Sequence, residues 1–396
     1  MKKVRDIFCV LLLLCTTMSC ENWLDVDPKT EIKSELMFQS ESGFKDALMG
    51  VYLTLRDPEL YGKEATWGFV DAIGQQTDIQ DQAAAYYNAS RYNYSQTSGV
   101  SDALWAKAFN AIVNLNNMLE NLDEQQNLFT PATYGVLKGE ALGLRAFLHF
   151  DLVRLFGWGN LAKKPENLEK LCMPYMTKYD KVLTKQLTVG EVLAHIEEDL
   201  LASIELLNNS DPYGLAPKQD DYDLPNEDKF FDNREKRFNY WAAVCTLTRV
   251  YMWMGRKREA LPLATSFIDK GGRTSWIDSY TIDAYYEKDR DLTFSREHVF
   301  ALDIAELFES VKHYIDPNAN KPNRNADLLY HSSERANKLF EAVNGVSTDY
   351  RYKRWYNKVN DYFDGWAFYK YWEVEEYSHG SVLPLIRKPE MYYMAA

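Results

Sequence analysis

The stretch GEALGLRAFLHFDLVRLFGWGNL (Gly139–Leu161) decides how the chain is read. Leu137, Ala141, Leu144, Leu148 and Leu155 recur at three- and four-residue spacing, the signature of an amphipathic helix. Pro131 suits a first helical turn and Gly157 a stop, so the spacing predicts a helix between them. Glu140, Arg145, His149, Asp151 and Arg154 could be taken for a catalytic cluster. Local pairing is the simpler account: Arg145 and His149 are one turn apart, and Asp151 and Arg154 stand at i,i+3. An arginine stem also packs readily between helices. No catalytic residue is assigned.

The same period runs outward in both directions. Phe44, Leu48, Val51, Tyr52 and Leu55 predict one helix, and Leu104, Ala108, Leu115, Leu119 and Leu122 predict another, with Trp105, Phe109 and Ile112 on the adjoining face. Thr188 and Glu191 form a capping box ahead of Leu193, Ile196, Leu200, Ile204 and Leu207. Asp211 to Asn233 is rich in Asp, Pro, Asn and Gly and reads as a surface connection. Within it, Asp220, Asp221, Asp223, Glu227 and Asp228 offer oxygens that calcium could use, but the central Gly of an EF-hand is missing. A solvated loop is expected there, and no metal.

WAAVCTLTRVYMWMGRKREALPLATSFID (Trp241–Asp269) reads as a tight helical pair turning at Gly255. Leu247, Tyr251 and Ala260 resemble the tetratricopeptide pattern, with Thr248 and Ala264 departing from it. Beyond Ser275 the periodicity loosens. EHVFALDI (Glu297–Ile304) predicts a short strand, and Asp316 to Asn325 a long loop.

At the other end, Lys2, Lys3 and Arg5 precede the apolar run Ile7 to Leu14, which stops short of Cys20. A bilayer span needs roughly 20 apolar residues, so this run fits a secretory leader better. With Ser19 before it, Cys20 resembles the acylated cysteine of a bacterial lipobox, with residues 1–19 removed as a signal peptide. Cys172 and Cys245 then remain, without CxxC spacing, and read as small buried side chains.

The formal charge is −13, and residues 1–19 carry a net +2, so the processed chain is near −15. Such acidity excludes nucleic acid as a partner and adhesion to anionic lipid by charge. No GxSxG, HExxH, P-loop or CxxC motif is present. No cofactor is expected.

With 27 Tyr and 10 Trp against 19 Phe, the aromatic surplus lies in rings with a polar tip, which tolerate half-burial. Trp67, Tyr86, Tyr87, Tyr92 and Tyr94 fall off the helical period, as do Trp276, Tyr280, Tyr285 and Tyr286. The first group neighbours Asp78, Gln80, Asn88 and Arg91. Each ring alone could be a loop anchor. As a set they are the candidate ligand-binding residues, chiefly Trp67, Tyr86, Tyr87, Tyr92, Trp276 and Tyr285, suited to stack on sugar C–H faces.

Taken together, several motifs resemble the SusD/RagB family of outer-membrane nutrient-binding lipoproteins. They are Gly139-Glu140-Ala141, Leu144-Arg145-Ala146 and Phe150-x-Leu152-Val153 in the central helix, and Trp105, Ile112 and Asn116 in the helix before it. LDVDPKTEI (Leu24–Ile32), FKDALMGVY (Phe44–Tyr52), Asp349-x-Arg351, Lys370-Tyr371 and PLIRKPEMYYMA (Pro384–Ala395) fall in the family's order, while Gly159-Asn160 stands where Val-Pro is usual. The resemblance implies a mainly α fold with tetratricopeptide-like helical pairs, an irregular aromatic-rich loop region and a few short strands. It implies one domain over 20–396, helical over 20–270 and incomplete over 271–396. The incompleteness is expected because the helix begun at Pro389 continues into another helical pair in the family. The implied function is a surface lipoprotein that binds glycan and passes it to a SusC-like TonB-dependent transporter, anchored in outer-membrane lipid through Cys20. A surface glycoside hydrolase would instead need two facing carboxylates, and a protein-binding scaffold a groove without aromatic platforms.

Overall fold

A computed structural model describes residues 34–271, 274–286, 289–317, 319, 326–359, 364–372 and 381–396. Cys20 and the leader before it lie outside the described residues, as does most of the loop expected over 316–325. The longer helices are α1 (Glu41–Leu55), α2 (Ser98–Glu124), α3 (Pro131–Phe156), α4 (Val189–Ser210), α5 (Tyr240–Met254), α6 (Lys257–Lys270), α7 (Leu307–Ile315) and α8 (Lys388–Ala395). Shorter helical turns are named by their residues.

Local chemistry sets the helix starts. The Thr130 hydroxyl accepts the Thr133 N–H at 3.1 Å, with Pro131 in the first turn of α3. The Thr188 and Glu191 capping box is made in full on α4. Asn239 caps α5 through the Ala242 N–H at 3.0 Å. Gly255 leaves α5 in the left-handed region at φ +76°, where glycine carries no side-chain penalty, and α6 folds back. Thr248, standing where the tetratricopeptide pattern favours Gly, turns its hydroxyl onto the Val244 carbonyl at 2.8 Å and is buried without an unmet donor.

The centre is α3, which packs against α1, α2, α4 and α5. The predicted face of Leu137, Ala141, Leu144 and Leu148 is buried, and the opposite side is buried as well. Gly135, Gly139 and Gly143 line the side facing α4. A Cβ at Gly139 would sit 2.8 Å from Leu207 Cγ, and one at Gly143 would collide with the Phe238 ring.

The charged residues of α3 correct the local-pairing expectation. Arg145 does not pair with His149. It grips Asp199 on α4 with two hydrogen bonds of 2.7 Å and gives a third to Asn116 on α2. His149 Nδ1 donates to the Arg145 carbonyl at 2.8 Å, and Nε2 accepts the Met176 N–H at 3.2 Å, which fixes a neutral tautomer. Burial pulls its pKa down to about 3. Of the five residues Glu140, Arg145, His149, Asp151 and Arg154, the last two form the ion pair along the helix.

The Asp211–Asn233 connection is also less superficial than its composition suggests. Asp211, Phe231 and, just beyond it, Arg234 are buried. Arg234 bridges Asp211 and Glu140, while Arg237 and the Tyr52 hydroxyl meet the other oxygen of Glu140. Burial disfavours the Glu140 carboxylate, yet the two guanidiniums hold it below the usual carboxylate range.

After α6 the chain builds two small sheets. Strand β1 (His298–Asp303) is the one expected from EHVFALDI. Strands β2 (Tyr330–His331), β3 (Tyr356–Lys358) and β4 (Trp366–Phe368) make a three-stranded sheet ordered β2-β4-β3. Strand β5 (Val382–Arg387) returns antiparallel to β1, pairing Ala301 with Pro384 and Asp303 with Val382. The first chain segment reaches across to this region. Asp78 N–H donates to the Tyr330 carbonyl, and the Asp78 carboxylate takes Ser332 N–H and Arg335, each at 2.8 Å. A seam therefore runs between the helical body, the 57–97 segment and the second half of the chain.

Candidate functional site

Three adjoining cavities follow that seam. The first, of about 380 Å³, is apolar and lined by Leu60, Val70, Tyr94, Leu155 and Trp253. It shares Tyr61, Ala65, Asp151 and Arg154 with a second, of about 310 Å³, which is mainly polar. The second shares Trp67, Asp71, Phe368 and Lys370 with a third, of about 320 Å³, walled by Trp355, Tyr356 and Phe340.

Most charges along the first two cavities are already satisfied. Asp151 accepts from the Tyr61 hydroxyl at 2.7 Å and from Arg154. Arg249 holds Glu390 through both oxygens, at 2.5 and 2.6 Å, and also the Leu385 carbonyl. Around the third cavity the situation differs. Thr77 Oγ1 and His331 Nδ1 are buried without a hydrogen-bond partner among the described residues. His331 Nε2 is engaged by the Tyr356 hydroxyl at 2.8 Å. Burial, with help from Arg335 and against Asp78, pulls the His331 pKa to about 4, so the ring is neutral at pH 7. Lys370 Nζ sits 5.0 Å from the Trp355 and Tyr371 ring centres. Burial, reinforced by Arg387 and opposed by Asp71, brings it down to about 7. Burial raises Asp71 to about 6, with Lys370 opposing. Perturbed titratable groups converging on a cavity mark a candidate binding site.

The expected aromatic residues divide. Trp67, 3% exposed, donates its indole N–H to the Gly62 carbonyl at 3.1 Å and lines the second and third cavities. Tyr86, 5% exposed, gives its hydroxyl to Glu64, and Tyr87 packs half-buried with Arg91 5.4 Å over its ring. These three are packed anchors rather than open platforms. Tyr92 is 53% exposed at φ +57°, 6.3 Å from Tyr94. Trp276, 48% exposed, borders a separate cavity of about 460 Å³ with Tyr392, and Lys388 lies 5.1 Å over its ring. Tyr285, 89% exposed, touches Tyr286. Of the six chief candidates, Trp67 and Trp276 line these cavities, and not the same one. Sequence reasoning missed Asp71, Thr77, His331 and Trp355. Lys370 lies in the aromatic run WAFYKYW (Trp366–Trp372), whose density was the available signal.

Residues 22–219 match a family described as starch-binding proteins associating with the outer membrane, SusD-like. The chain belongs to the SusD-like family. It is 27% identical over 190 residues to SusD-like protein P25 of Formosa agariphila, and 27% identical over 210 residues to SusD-like protein P38 of the same organism. These matches cover 46% and 50% of this chain but only 36% and 37% of those proteins, little more than a third of their length. A putative sugar binding protein from Bacteroides vulgatus superposes with a TM-score of 0.64 at 22% identity, over 90% of this chain and 73% of that one. A SusD superfamily protein from Bacteroides thetaiotaomicron superposes with 0.67 at 19% identity, over 90% and 75%. At such identities the likeness establishes the SusD-like fold. The family match holds α1 to α4, Trp67, Asp71 and Thr77; His331, Trp355 and Lys370 come from outside it.

Proposed function

We propose that this SusD-like protein binds a glycan along the seam and passes it to a SusC-like TonB-dependent transporter, while Cys20 anchors it in outer-membrane lipid. The observation that carries the reading is the third cavity, where aromatic walls meet Asp71, Lys370 and two buried polar atoms, Thr77 Oγ1 and His331 Nδ1, that have no hydrogen-bond partner among the described residues, on a SusD-like fold. Aromatic faces and convergent donors and acceptors are the chemistry that sugar rings need. Binding rather than cleavage is favoured by the carboxylates. Asp151 is committed to Arg154 and Glu390 to Arg249, leaving Asp71 alone, and glycoside hydrolysis uses a pair. No described helix is long and apolar enough to cross a membrane. Residues 20–396 act as one domain in this reading, with β1 and β5 joining the late strands to α5. Isothermal titration of the purified protein against a neutral oligosaccharide panel tests it. At least one member is expected to bind, and Lys370→Met is expected to weaken that binding by about 1.5–3 kcal/mol, the worth of a hydrogen bond from a charged group. Silence across the panel, or bond cleavage, would overturn it.

A further inference from the structure

Thr77 and His331 line the third cavity, and Thr77 Oγ1 and His331 Nδ1 are buried without a partner among the described residues. The side chains of Asp71 and Lys370 border it too, half-buried and without a side-chain hydrogen bond among the described residues. Buried polar atoms are nearly always satisfied in native proteins, so two such atoms on lining residues, with a half-buried aspartate and lysine beside them, point to an occupant that supplies donors and acceptors.

Charge narrows its chemistry. Arg351, at the chamber's border, is committed to Asp349 at 2.7 Å. The unpaired lysine and the unpaired aspartate oppose one another, leaving no net charge to neutralise an anion. Lys370 donates, Asp71 accepts, Thr77 does either, and His331 Nδ1 donates or accepts according to where the Tyr356 hydroxyl points. Alternating donors and acceptors against Trp67, Trp355 and Phe368 suit adjacent hydroxyls on a ring with apolar faces. Size narrows it further. About 320 Å³ lies at the small end of the range for ligand pockets, which runs from roughly 300 to 1,000 Å³. The chamber opens to the second cavity past Trp67, Asp71, Phe368 and Lys370.

We propose that this chamber is a terminal subsite that takes the single end residue of a neutral glycan, so that the protein grips chain ends rather than chain interiors. The inference rests on the glycan-binding reading above and adds where the chain stops and what its last unit must be. A chain enters along the second cavity, and its end residue turns inward between the aromatic walls to meet Asp71, Lys370, Thr77 and His331.

Saturation-transfer NMR of the purified protein with free D-glucose, D-galactose, D-mannose, D-xylose and D-glucuronic acid tests this. At least one neutral monosaccharide is expected to receive saturation. That signal should fall about tenfold in Asp71→Asn and Lys370→Met, as for a lost charge-assisted hydrogen bond. Leu183→Ala, a fully exposed position that lines none of these cavities, should leave it unchanged. Thr77→Val, nearly isosteric, reads the chamber if either charge variant fails to fold. Transfer to glucuronic acid alone, or transfer unchanged in the folded variants, would overturn the proposal. So would oligosaccharide binding by titration without transfer to any monosaccharide, an outcome that leaves glycan binding in the seam standing. If neither oligosaccharide nor monosaccharide binds, both readings fall.

Discussion

Trp67 is held at both ends: its indole N–H reaches the Gly62 carbonyl, and its ring meets Tyr314 edge-on at 5.4 Å. Truncating a buried ring of this kind removes its contacts and leaves a cavity, so Trp67→Ala should lose about 3–5 kcal/mol of stability by urea unfolding. Tyr285→Ala, out in solvent, should change the same midpoint by less than about 0.5 kcal/mol. A midpoint unmoved by Trp67→Ala would return that ring to the role of an open platform. The imidazoles supply a pH prediction. His149 faces Arg145, His195 and Tyr175, His298 faces Lys370, Arg387 and Asp291, and His331 faces Arg335 and Asp78. Burial is the largest cause of the depression in each, to about 3, 3 and 4. Their folded pKa values lie below the unfolded value of about 6.5, so below that pH the unfolded chain takes up more protons. Their contribution is intact above about pH 6.5 and is lost as pH falls toward 4. Urea midpoints compared at pH 7.5 and 5.0 should therefore drop at the lower pH. Equal midpoints would mean that these rings stay solvated. None of these ring environments was legible in the sequence. A loop aromatic is compatible with burial or exposure, and His149 found its second partner, Met176, in a segment 27 residues away.

Helices were the readable level. Caps and periods are local, so Pro131, Thr188, Glu191 and Gly255 mark the ends of α3, α4 and α5 where the structure has them. Long-range pairing was not readable, because charge complementarity between distant segments leaves no spacing to detect. Glu140 meets Arg234 across 94 residues, and Arg145 meets Asp199 across 54. The glycines of α3 sit between these levels: their four-residue spacing is visible, but what fills the space beside them is not. Ser203 Oγ donates to the Gly139 carbonyl at 2.6 Å, and the Phe238 ring occupies the place of a Gly143 side chain. Gly143→Ala raises intrinsic helix propensity by about 1 kcal/mol. In this setting overpacking should win, with a net loss of about 1–3 kcal/mol and a lower melting temperature by calorimetry. A higher melting temperature would show that Phe238 moves aside at little cost.

At the scale of the whole molecule, a glycan held in the seam has to leave it for the cell to use it. No described helix is long and apolar enough to cross a bilayer, and in the proposed reading, with residues 1–19 removed, a chain near −15 is repelled by anionic lipid rather than drawn into it. In the proposed reading, delivery uses two things beyond the described residues: a tether that keeps the protein at the membrane and a separate channel. Cys20 supplies the first in the proposed reading, and a TonB-dependent β-barrel the second. Both can be tested in one preparation. From outer membranes solubilised in mild detergent, tagged wild-type protein should bring down a large β-barrel in a near-equal amount. Cys20→Ala should keep its leader or leave the membrane fraction, and the barrel should no longer follow it. Protein recovered alone from the wild-type membrane would remove the transporter from the proposal. Normal processing and fractionation of Cys20→Ala would remove the anchor, whatever the seam binds.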